Sequence, residues 1–215
     1  MRAAQPTTNA AVALAMTGAS GAPYGLRLLQ CLIEAGEPVY LMISKPGQVV
    51  LGMETDLSVP SRPADMEAFF SERYGAAPGQ LRVFGQEQWT APVASGGGAP
   101  RAMVVCPCTT GTLASIAAGI CNNLIDRAAD VALKERRALI LVPRETPFSA
   151  IHLENMLKLA RLGAVILPPI PGFYHGPRTI DDLVDFVVAR ILDHLNVPHA
   201  LVERWGLESG VTPDA

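Results

Sequence analysis

Residues 139–147 read Leu-Ile-Leu-Val-Pro-Arg-Glu-Thr-Pro, and this stretch indicates the class of fold. Its first half is a run of branched apolar residues, which is typical of a strand buried on both faces of a parallel sheet. The charged pair Arg144 and Glu145 follows at once. Ligands of open parallel sheets bind just beyond the carboxyl ends of the strands. We therefore expect this pair to belong to an anion site rather than to the core.

Short apolar runs and stretches of helical periodicity alternate on either side of this segment. Such alternation favours a three-layer α/β sandwich, with a parallel sheet between two layers of helices. Residues 56–99 are rich in Pro, Gly and Ser, so we expect a loop-rich insertion containing one strand. The predicted strands are 12–16, 38–43, 81–84, 102–106, 138–142 and 164–167, and the predicted helices are 24–35, 109–119, 122–135, 150–162 and 179–195. We expect one domain over 12–195, an N-terminal extension over 1–11 and a C-terminal arm over 196–215 that contacts another subunit.

The composition of the chain points to assembly. Of its 215 residues, 49% are hydrophobic and 17% are charged, and the mean hydropathy is +0.26. This is apolar for a monomer of this size, so we expect extensive burial between the subunits of a homo-oligomer. The net charge of −3 and the lack of a basic run argue against a nucleic-acid partner.

The N-terminus contains an apolar segment, residues 10–16, that is similar to the core of a short signal peptide. Only one basic residue, Arg2, precedes it, and cleavage there would destroy the turn that follows. No apolar stretch of the sequence reaches the roughly 20 residues that span a bilayer. We therefore expect a cytoplasmic protein without a membrane span.

The cysteines do not form a metal-binding pattern. Cys106 and Cys108 close an apolar strand and lack a second pair or a nearby histidine, and Cys31 and Cys121 stand alone. The four histidines are scattered without a ligand spacing. We expect reduced cysteines in or near the core, and no metal.

The turn after the first predicted strand reads Thr-Gly-Ala-Ser-Gly-Ala-Pro-Tyr-Gly over residues 17–25. Small residues there let backbone amides approach a phosphate at the helix N-terminus. They equally permit tight packing of helix on strand, and the sequence does not separate the two interpretations. The glycines lack the G-x-G-x-x-G spacing, and no Gly-Lys-Ser/Thr follows. The turn argues against NAD or ATP and leaves a mononucleotide such as FMN open.

A second turn of this kind, Cys-Pro-Cys-Thr-Thr-Gly-Thr over residues 106–112, follows the fourth predicted strand. Thr109 is expected to cap the next helix, and three threonines within four positions exceed what capping requires. Two phosphate-suited turns, after the first and fourth strands, fit a site at the topological switch point of an α/β sheet.

Three further cations are candidates for the anion site. Arg127 and Lys134 lie seven residues apart and share one helix face, which is also the pattern of a solvated face. Arg190 lies on or beside the apolar stripe of the last helix. We therefore expect it to be buried against a carboxylate such as Glu145 or against an anionic ligand.

Two aromatic residues are also candidates. Tyr174 lies in the proline-rich segment 168–177, which we expect to form a stiff loop that holds the phenol over a pocket. A plain surface loop is the alternative. Trp205, in the tail, is interpreted first as an interface anchor.

Together these segments resemble the flavin prenyltransferases, the UbiX/Pad family of flavoproteins. The resemblance rests on residues 17–25, on Met-Glu-Thr-Asp at 53–56 and on Arg-Ala-Ala-Asp-Val-Ala-Leu-Lys-Glu-Arg-Arg at 127–137. It rests further on Val-Pro-Arg-Glu-Thr-Pro at 142–147 and on Pro-Pro-Ile-Pro-Gly-Phe-Tyr-His at 168–175. It extends from about residue 12 to residue 205.

The resemblance implies a Rossmann-like (flavodoxin-like) fold and a homododecamer. The implied reaction joins dimethylallyl monophosphate to reduced FMN through new bonds at N5 and C6 of the flavin. The product, prenylated FMN, is the cofactor of UbiD-type decarboxylases, which links the family to ubiquinone synthesis. The reaction needs no metal, so cationic side chains have to stabilise the leaving phosphate.

The resemblance also assigns roles to single residues. Glu145 is expected to assist proton transfer involving the leaving phosphate and the flavin adduct, and Trp205 to face the allyl cation. The implied catalytic residues are Ser20, Glu54, Lys134, Arg144 and Glu145. The implied FMN-binding residues are Gly18, Ala19, Ser20, Ser44, Thr109, Thr110, Gly111, Thr112 and Arg127. The implied residues for the prenyl phosphate are Lys134, Arg144, Tyr174 and Arg190, with Trp205 beside them.

Two other functions fit parts of the chain. An FMN-dependent decarboxylase of peptidyl or pantothenoyl cysteine shares the fold, but carries Pro-Ala-Ser-Ala-Asn-Thr where this chain has Pro-Cys-Thr-Thr-Gly-Thr at 107–112. A non-catalytic FMN-binding module would keep the turns without the phosphate site. The missing asparagine argues against the first, and the cationic set with Glu145 argues against the second.

Overall fold

The structure is a computed structural model that describes residues 9–203. Its strands are β1 Asn9–Met16, β2 Val39–Ile43, β3 Leu81–Val83, β4 Pro100–Cys108, β5 Ala138–Pro143 and β6 Val165–Ile166. Over the same residues the helices are α1 Ala22–Glu34, α2 Lys45–Glu54, α3 Pro63–Tyr74, α4 Thr110–Ala118, α5 Leu124–Lys134, α6 Ala150–Arg161 and α7 Ile180–Leu195. Every strand and helix that the sequence predicts is present, with bounds that differ by three residues at most.

The six strands form one parallel sheet in the order β3-β2-β1-β4-β5-β6. The chain moves outward from β1 to β3, returns to β4 on the other side of β1, and moves outward again. The switch point therefore lies between β1 and β4, and loops that leave their carboxyl ends border a crevice there. This confirms the predicted Rossmann-like three-layer sandwich.

Alternate residues of the central strands enter two separate cores. In β1, Val12, Leu14 and Met16 belong to the core under α1, α3 and α7, whereas Ala13 and Ala15 belong to the core under α4, α5 and α6. Both sets are almost fully buried. Because both faces of the sheet are covered, the strands are continuous apolar runs in the sequence, without an alternation of apolar and polar residues.

Two helices, α2 and α3, have no counterpart in the sequence prediction. The expectation of a loop-rich section over 56–99 with only a strand inside it was wrong, because the 12-residue α3 lies there. Each of these helices buries only two residues, Gly47 and Leu51 in α2, and Met66 and Phe70 in α3. A stripe of two residues gives little periodic signal, and Gly47 and Gly52 lower the helix propensity of α2.

The close approach of α1 to the sheet requires a glycine. A Cβ atom added at Gly25 would lie 2.5 Å from the carbonyl oxygen of Cys106 in β4. The contact is with backbone that is fixed in the sheet and cannot rotate away. Gly25 therefore lets α1 cross the ends of β1 and β4 at short distance.

Beyond α7 the chain packs on its own domain as far as the structure describes it. Asn196 ends the helix in the left-handed conformation, with φ of 55°. Val197 is buried, and His199 Nε2 lies 3.1 Å from Asp193 Oδ1. The subunit contact expected of the arm over 196–215 stays a prediction.

Within residues 9–203, each helix is too short or too polar to cross a bilayer.

Candidate functional site

Thr17 joins the ends of the two strands that flank the switch point. Its hydroxyl donates to the carbonyl of Pro107 at 2.9 Å and accepts from the amide of Thr109 at 2.8 Å. Next to it, the amide of Ser44 donates to the carbonyl of Met16 at 3.0 Å. The ends of β1, β2 and β4 are thereby held together, and the turns that follow them border one crevice.

Two of these turns lead into helices whose N-termini are capped by a side chain and still carry amides without an acceptor among the described residues. The hydroxyl of Ser44 accepts from the amide of Gly47, and that of Thr109 accepts from the amide of Thr112, each at 3.0 Å. Among the described residues, the amides of Lys45, Thr110 and Gly111 find no acceptor. Amides at helix N-termini suit phosphate and hydroxyl oxygens. The turns after β2 and β4 therefore fit a phosphate-bearing mononucleotide.

A cavity of about 390 Å³ opens beside the turn after β2. Lys45 and Gln48 of α2 line it on one side, and Phe84 and Gln86, beyond β3, line the other. It gives a ligand at the N-terminus of α2 both apolar and polar surface to contact.

The turn after β1 already holds an anion that belongs to the protein. The carboxylate oxygen Oε2 of Glu54, at the end of α2, accepts from the amides of Gly21 at 2.8 Å and Ala22 at 2.9 Å. These are donors at the N-terminus of α1. Glu54 therefore engages two of the amides at the start of α1, and phosphate binding by the rest of this turn stays a prediction.

The electrostatics of Glu54 follow from these contacts. Burial opposes its ionisation, but hydrogen bonds from the Ser20 hydroxyl and from the Gly21 and Ala22 amides outweigh it, with help from the charge of Arg144. The net effect lowers the pKa of Glu54 below its usual value. Glu54 is a carboxylate at neutral pH in this setting.

Arg144 and Glu145 directly follow β5, and Arg144 reaches the same crevice. Arg144 Nε donates to the carbonyl of Ser20 at 3.2 Å, and the Arg144 amide donates to the carbonyl of Cys108, also at 3.2 Å. Glu145 Oε1 accepts from the neighbouring amide of Thr146 at 3.2 Å. The structure thus brings together three predicted residues, Ser20, Glu54 and Arg144, with Glu145 next along the chain.

Gly18 owes its small size to packing. A Cβ atom added there would lie 2.4 Å from the Cβ atom of Pro46 in α2. Of the two interpretations that the sequence left open for this turn, the structure supplies direct evidence for tight packing at Gly18. Neighbouring Ala19 is buried and Ser20 is exposed.

Arg127 lies near the carboxyl ends of the strands, but its guanidinium is already bonded to other groups of the protein. Its Nη1 atom contacts Asp130 Oδ2 at 2.6 Å, and its Nε atom donates to the carbonyl of Ala94 at 3.1 Å. These bonds fix the guanidinium over the segment that leads into β4.

Lys134 lies at the amino ends of the strands, whereas Arg144 lies at their carboxyl ends. It is the last residue of α5, just before β5 begins, whereas Arg144 follows the end of β5. The six residues of β5 separate these two ends by roughly 20 Å. Lys134 pairs with Glu135 and borders a surface cavity of about 690 Å³ together with Arg136, Arg137 and Arg161. One chain does not place Lys134 and Arg144 at one site.

Arg190 differs from its prediction as well. It was expected to be buried, but 56% of its side chain is exposed, and its Nη1 atom pairs with Asp193 Oδ2 at 2.8 Å. The carboxylate that it meets is that of Asp193 rather than that of Glu145. The buried residues Val187, Val188 and Ile191 of α7 lie close to Arg190 in the sequence, which is why burial was predicted for it.

Of the two predicted aromatic residues, the structure describes only Tyr174. Tyr174 lies in the loop between β6 and α7, with its ring 5.7 Å from that of Phe186 in edge-to-face geometry. It is largely exposed at the edge of the sheet that carries the crevice. Trp205 lies outside the described residues.

The cysteine thiols are part of the scaffold. Cys31, Cys106 and Cys108 are buried, as expected, and Cys121 is half-buried. Burial raises the pKa of the Cys108 thiol to about 12 and that of Cys31 to about 11. Thiols that stay protonated are poor nucleophiles. Over residues 9–203, no three side chains of His, Cys, Asp or Glu are grouped to hold a metal ion.

Two polar residues, Thr17 and Asp126, have roles that the sequence did not predict. Thr17 was read as part of the glycine turn and not as the link between strands. Asp126 is buried on α5, where Asn123 Nδ2 donates to it at 2.8 Å, and burial raises its pKa. A buried carboxylate within the first turn of a helix is recognisable from sequence only when its apolar surroundings are known.

Two comparisons with known proteins show the family of this chain. A family model described as flavoprotein matches residues 2–192. The flavin prenyltransferase UbiX of Pseudomonas aeruginosa is 64% identical over 195 residues, which cover 91% of this chain and 93% of that protein.

Two solved structures are similar to this chain in both fold and sequence. The structure of AnUbiX (PadA1) in complex with FMN and dimethylallyl pyrophosphate has a TM-score of 0.82 and 40% identity, covering 94% of this chain and 100% of that one. A dodecameric FMN-dependent UbiX-like decarboxylase from Escherichia coli O157:H7 has a TM-score of 0.80 and 42% identity, covering 91% and 98%.

Proposed function

The chain belongs to the flavoprotein family and, within it, to the flavin prenyltransferases, and from this membership we propose that it joins a dimethylallyl group from dimethylallyl monophosphate to reduced FMN. The proposed bonds form at N5 and C6 of the flavin, and phosphate leaves. The observation that carries the proposal is the grouping of Arg144, Ser20 and Glu54 beside two helix N-termini at the switch point.

The FMN-binding residues proposed from the fold are those of the turns after β2 and β4. Ser44, Thr109 and Thr112 offer hydroxyls, while Thr110 and Gly111 offer amides. Ala19 and Ser20 border the crevice from β1, and Arg127 lies near the same edge. Reduced FMN, when bound, supplies the nucleophilic positions of the reaction.

The residues proposed to handle the prenyl phosphate start with Arg144. A guanidinium can hold two phosphate oxygens and stabilise the charge that develops as the phosphate leaves. Glu145 is proposed as the proton-transfer group, and Ser20 and Glu54 as a fixed pair that orients the reactants. In this proposal side chains alone stabilise the leaving phosphate, so the reaction should proceed in the presence of a chelator.

We propose that the remaining cations come from neighbouring copies of the chain. Lys134 lies roughly 20 Å along β5 from Arg144, and Arg190 is exposed on α7. A crevice completed across subunits would bring such residues to the phosphate. The relative from Escherichia coli that is described as dodecameric supports assembly of this chain into a homo-oligomer of the same kind.

The exposed face of α6 supports the same assembly. Ile151, Leu153, Leu157 and Leu162 there are 51% to 67% exposed. Exposed apolar residues grouped on one element mark an interaction surface. Glu154, Lys158 and Arg161 lie among them and form no ion pair within residues 9–203. They would find opposite charges on an antiparallel copy of the helix.

The cytoplasm is the proposed location, since thiols such as Cys121 remain reduced there. The product is proposed to serve a UbiD-type decarboxylase. The competing cysteine-type decarboxylase is disfavoured by the 64% identity to a protein named as a flavin prenyltransferase.

The deciding experiment is anaerobic incubation of the purified protein with reduced FMN and dimethylallyl monophosphate in EDTA, followed by mass spectrometry. We expect FMN plus one C5 unit. A parallel reaction with dimethylallyl pyrophosphate defines the donor. If FMN is bound and neither donor gives an adduct, the proposed function is wrong.

A matched pair of variants links the activity to the site. Arg144→Ala should lower product formation by about 10²- to 10³-fold, the usual cost of removing one oxyanion-stabilising donor. Arg73→Ala removes an exposed arginine on α3 and should leave the rate unchanged.

A further inference from the structure

The segment between β6 and α7, residues 167–179, carries Tyr174 and is held by a cluster of three rings. The Tyr174 ring meets Phe186 and His175 edge-to-face, each with centroids 5.7 Å apart and planes at 79°. His175 in turn stacks on Phe186, at 5.1 Å and 10°. Each ring therefore contacts the other two, and Phe186 on α7 supports both loop rings.

His175 uses its ring faces rather than its nitrogens. Both Nδ1 and Nε2 are shielded from solvent, and neither finds a hydrogen-bond partner among the described residues. A buried imidazole normally pairs at least one nitrogen. Its ring contacts are those that any flat aromatic ring makes with Phe186 and Tyr174. The amides of Arg178 and Thr179 hold the pKa of Asp182 below its usual value, and His175 adds a weaker electrostatic contribution.

Gly172 is fitted to the same cluster. A Cβ atom added there would lie 2.8 Å from Tyr174 Cε1 and 3.0 Å from Phe186 Cζ. The glycine is required by space, since its φ is not in the left-handed region. A side chain at this position would push the Tyr174 ring away from its support.

The cluster is connected to the crevice through α1. Asp185, next to Phe186, accepts two bonds from Arg27 of α1, from Nε at 2.6 Å and from Nη2 at 3.1 Å. The first turn of α1 carries the amide that Glu54 engages. The support of Tyr174 is thus fixed to the same helix as the Ser20–Glu54 pair.

We propose that His175, Phe186 and Gly172 are positioning residues that hold the Tyr174 phenol ready for the phosphate of the prenyl substrate. The inference rests on the proposed function for the identity of the substrate. It goes beyond that function in assigning His175 a role through its ring alone, with no part in proton transfer.

Steady-state kinetics with varied dimethylallyl monophosphate and saturating reduced FMN test the proposal. His175→Ala should raise KM for the phosphate substrate roughly 5- to 10-fold, the worth of one or two aromatic contacts, with little change in kcat. FMN affinity, measured by fluorescence titration, should not change. His175→Phe keeps the ring and should restore KM to within about twofold of the wild-type value.

Gly172→Ala should raise KM in the same way, because it displaces the Tyr174 ring. Gly97→Ala is its control, since a Cβ atom at Gly97 meets nothing within 4 Å. If His175→Phe is folded and loses activity as His175→Ala does, the ring nitrogens take part directly and the proposal is wrong. Equal loss of FMN affinity in His175→Ala or Gly172→Ala would also overturn it.

Hydrogen–deuterium exchange separates this proposal from the proposed function, because it needs no substrate. Exchange of peptides covering residues 168–179 should rise in His175→Ala and Gly172→Ala and remain at the wild-type level in His175→Phe. If the wild-type protein makes no prenylated product, the proposed function fails while this result still tests the cluster. Unchanged exchange in both Ala variants would show that the rings do not hold the loop.

Discussion

The carboxylate of Glu54 lies 2.8 Å from the amide of Gly21, although 33 residues separate them in the chain. The contact ties the end of α2 to the start of α1, and it fills an anion-binding position with a side chain of the protein. A diffusible anion that binds in the crevice would therefore lie next to a fixed negative charge. The charge of Arg144 acts on Glu54 from the same crevice.

Glu54→Gln should lower the free energy of unfolding at pH 7 by about 0.5–1 kcal/mol, the value of a charge at a helix N-terminus. The pKa of Glu54 is lower in the folded protein than in the unfolded chain. Its contribution is therefore present above the unfolded pKa of about 4.3 and is lost as the pH falls through the folded value. Urea unfolding at several pH values checks this, and the gap between wild type and variant should shrink below pH 4 or so. Glu72→Gln, at an exposed position of α3, is the control, and an equal pH dependence there would contradict the assignment.

Gly25→Ala and Gly52→Ala should have opposite effects, although both add one methyl group to a helix. The new Cβ atom at Gly25 meets a backbone oxygen at 2.5 Å, which should destabilise the fold by about 1–3 kcal/mol. The Cβ atom at Gly52 meets nothing, so the gain in helix propensity should stabilise by about 0.4–1 kcal/mol. Chemical denaturation of the two variants measures the difference. Equal shifts would mean that α1 has room to move away from β4.

Lys134→Ala and Arg144→Ala should complement each other when co-expressed as two differently tagged chains. Each variant alone is expected to have a defective phosphate site. In mixed oligomers about one quarter of the sites would combine an intact Arg144 with an intact Lys134 from a neighbour. Product formation by doubly purified hybrids measures this fraction. Hybrids no more active than the two parents would mean that one chain supplies both residues.

Leu157→Glu should break the assembly if the exposed face of α6 lies between copies. A charge placed at an apolar interface loses its hydration without a partner, which is costly. Light scattering coupled to size exclusion should show a smaller mass, while the circular dichroism spectrum remains that of an α/β protein. Leu157→Met, which keeps the apolar surface, should assemble as the wild type does. A full-size Leu157→Glu oligomer would remove α6 from the interface.

The strand and helix layout follows from local patterns, which is why the sequence predicts it. Val12, Leu14 and Met16 alternate with Ala13 and Ala15, and all are apolar because both faces of the sheet are covered. By contrast, α2 and α3 bury two residues each and leave almost no periodicity to detect. Their placement depends on packing against the rest of the domain.

The sequence by itself determined the parallel sheet, the turns at its switch point and the presence of Arg144 and Glu145 at the end of β5, because each is set by neighbours within a few residues. Only the tertiary structure decided that Glu54 caps α1, that Arg190 is exposed and paired with Asp193, and that Lys134 lies across the sheet from Arg144. These facts depend on which strand ends are adjacent and on which direction each helix runs. Residues distant in the chain meet or separate only when the sheet order is fixed.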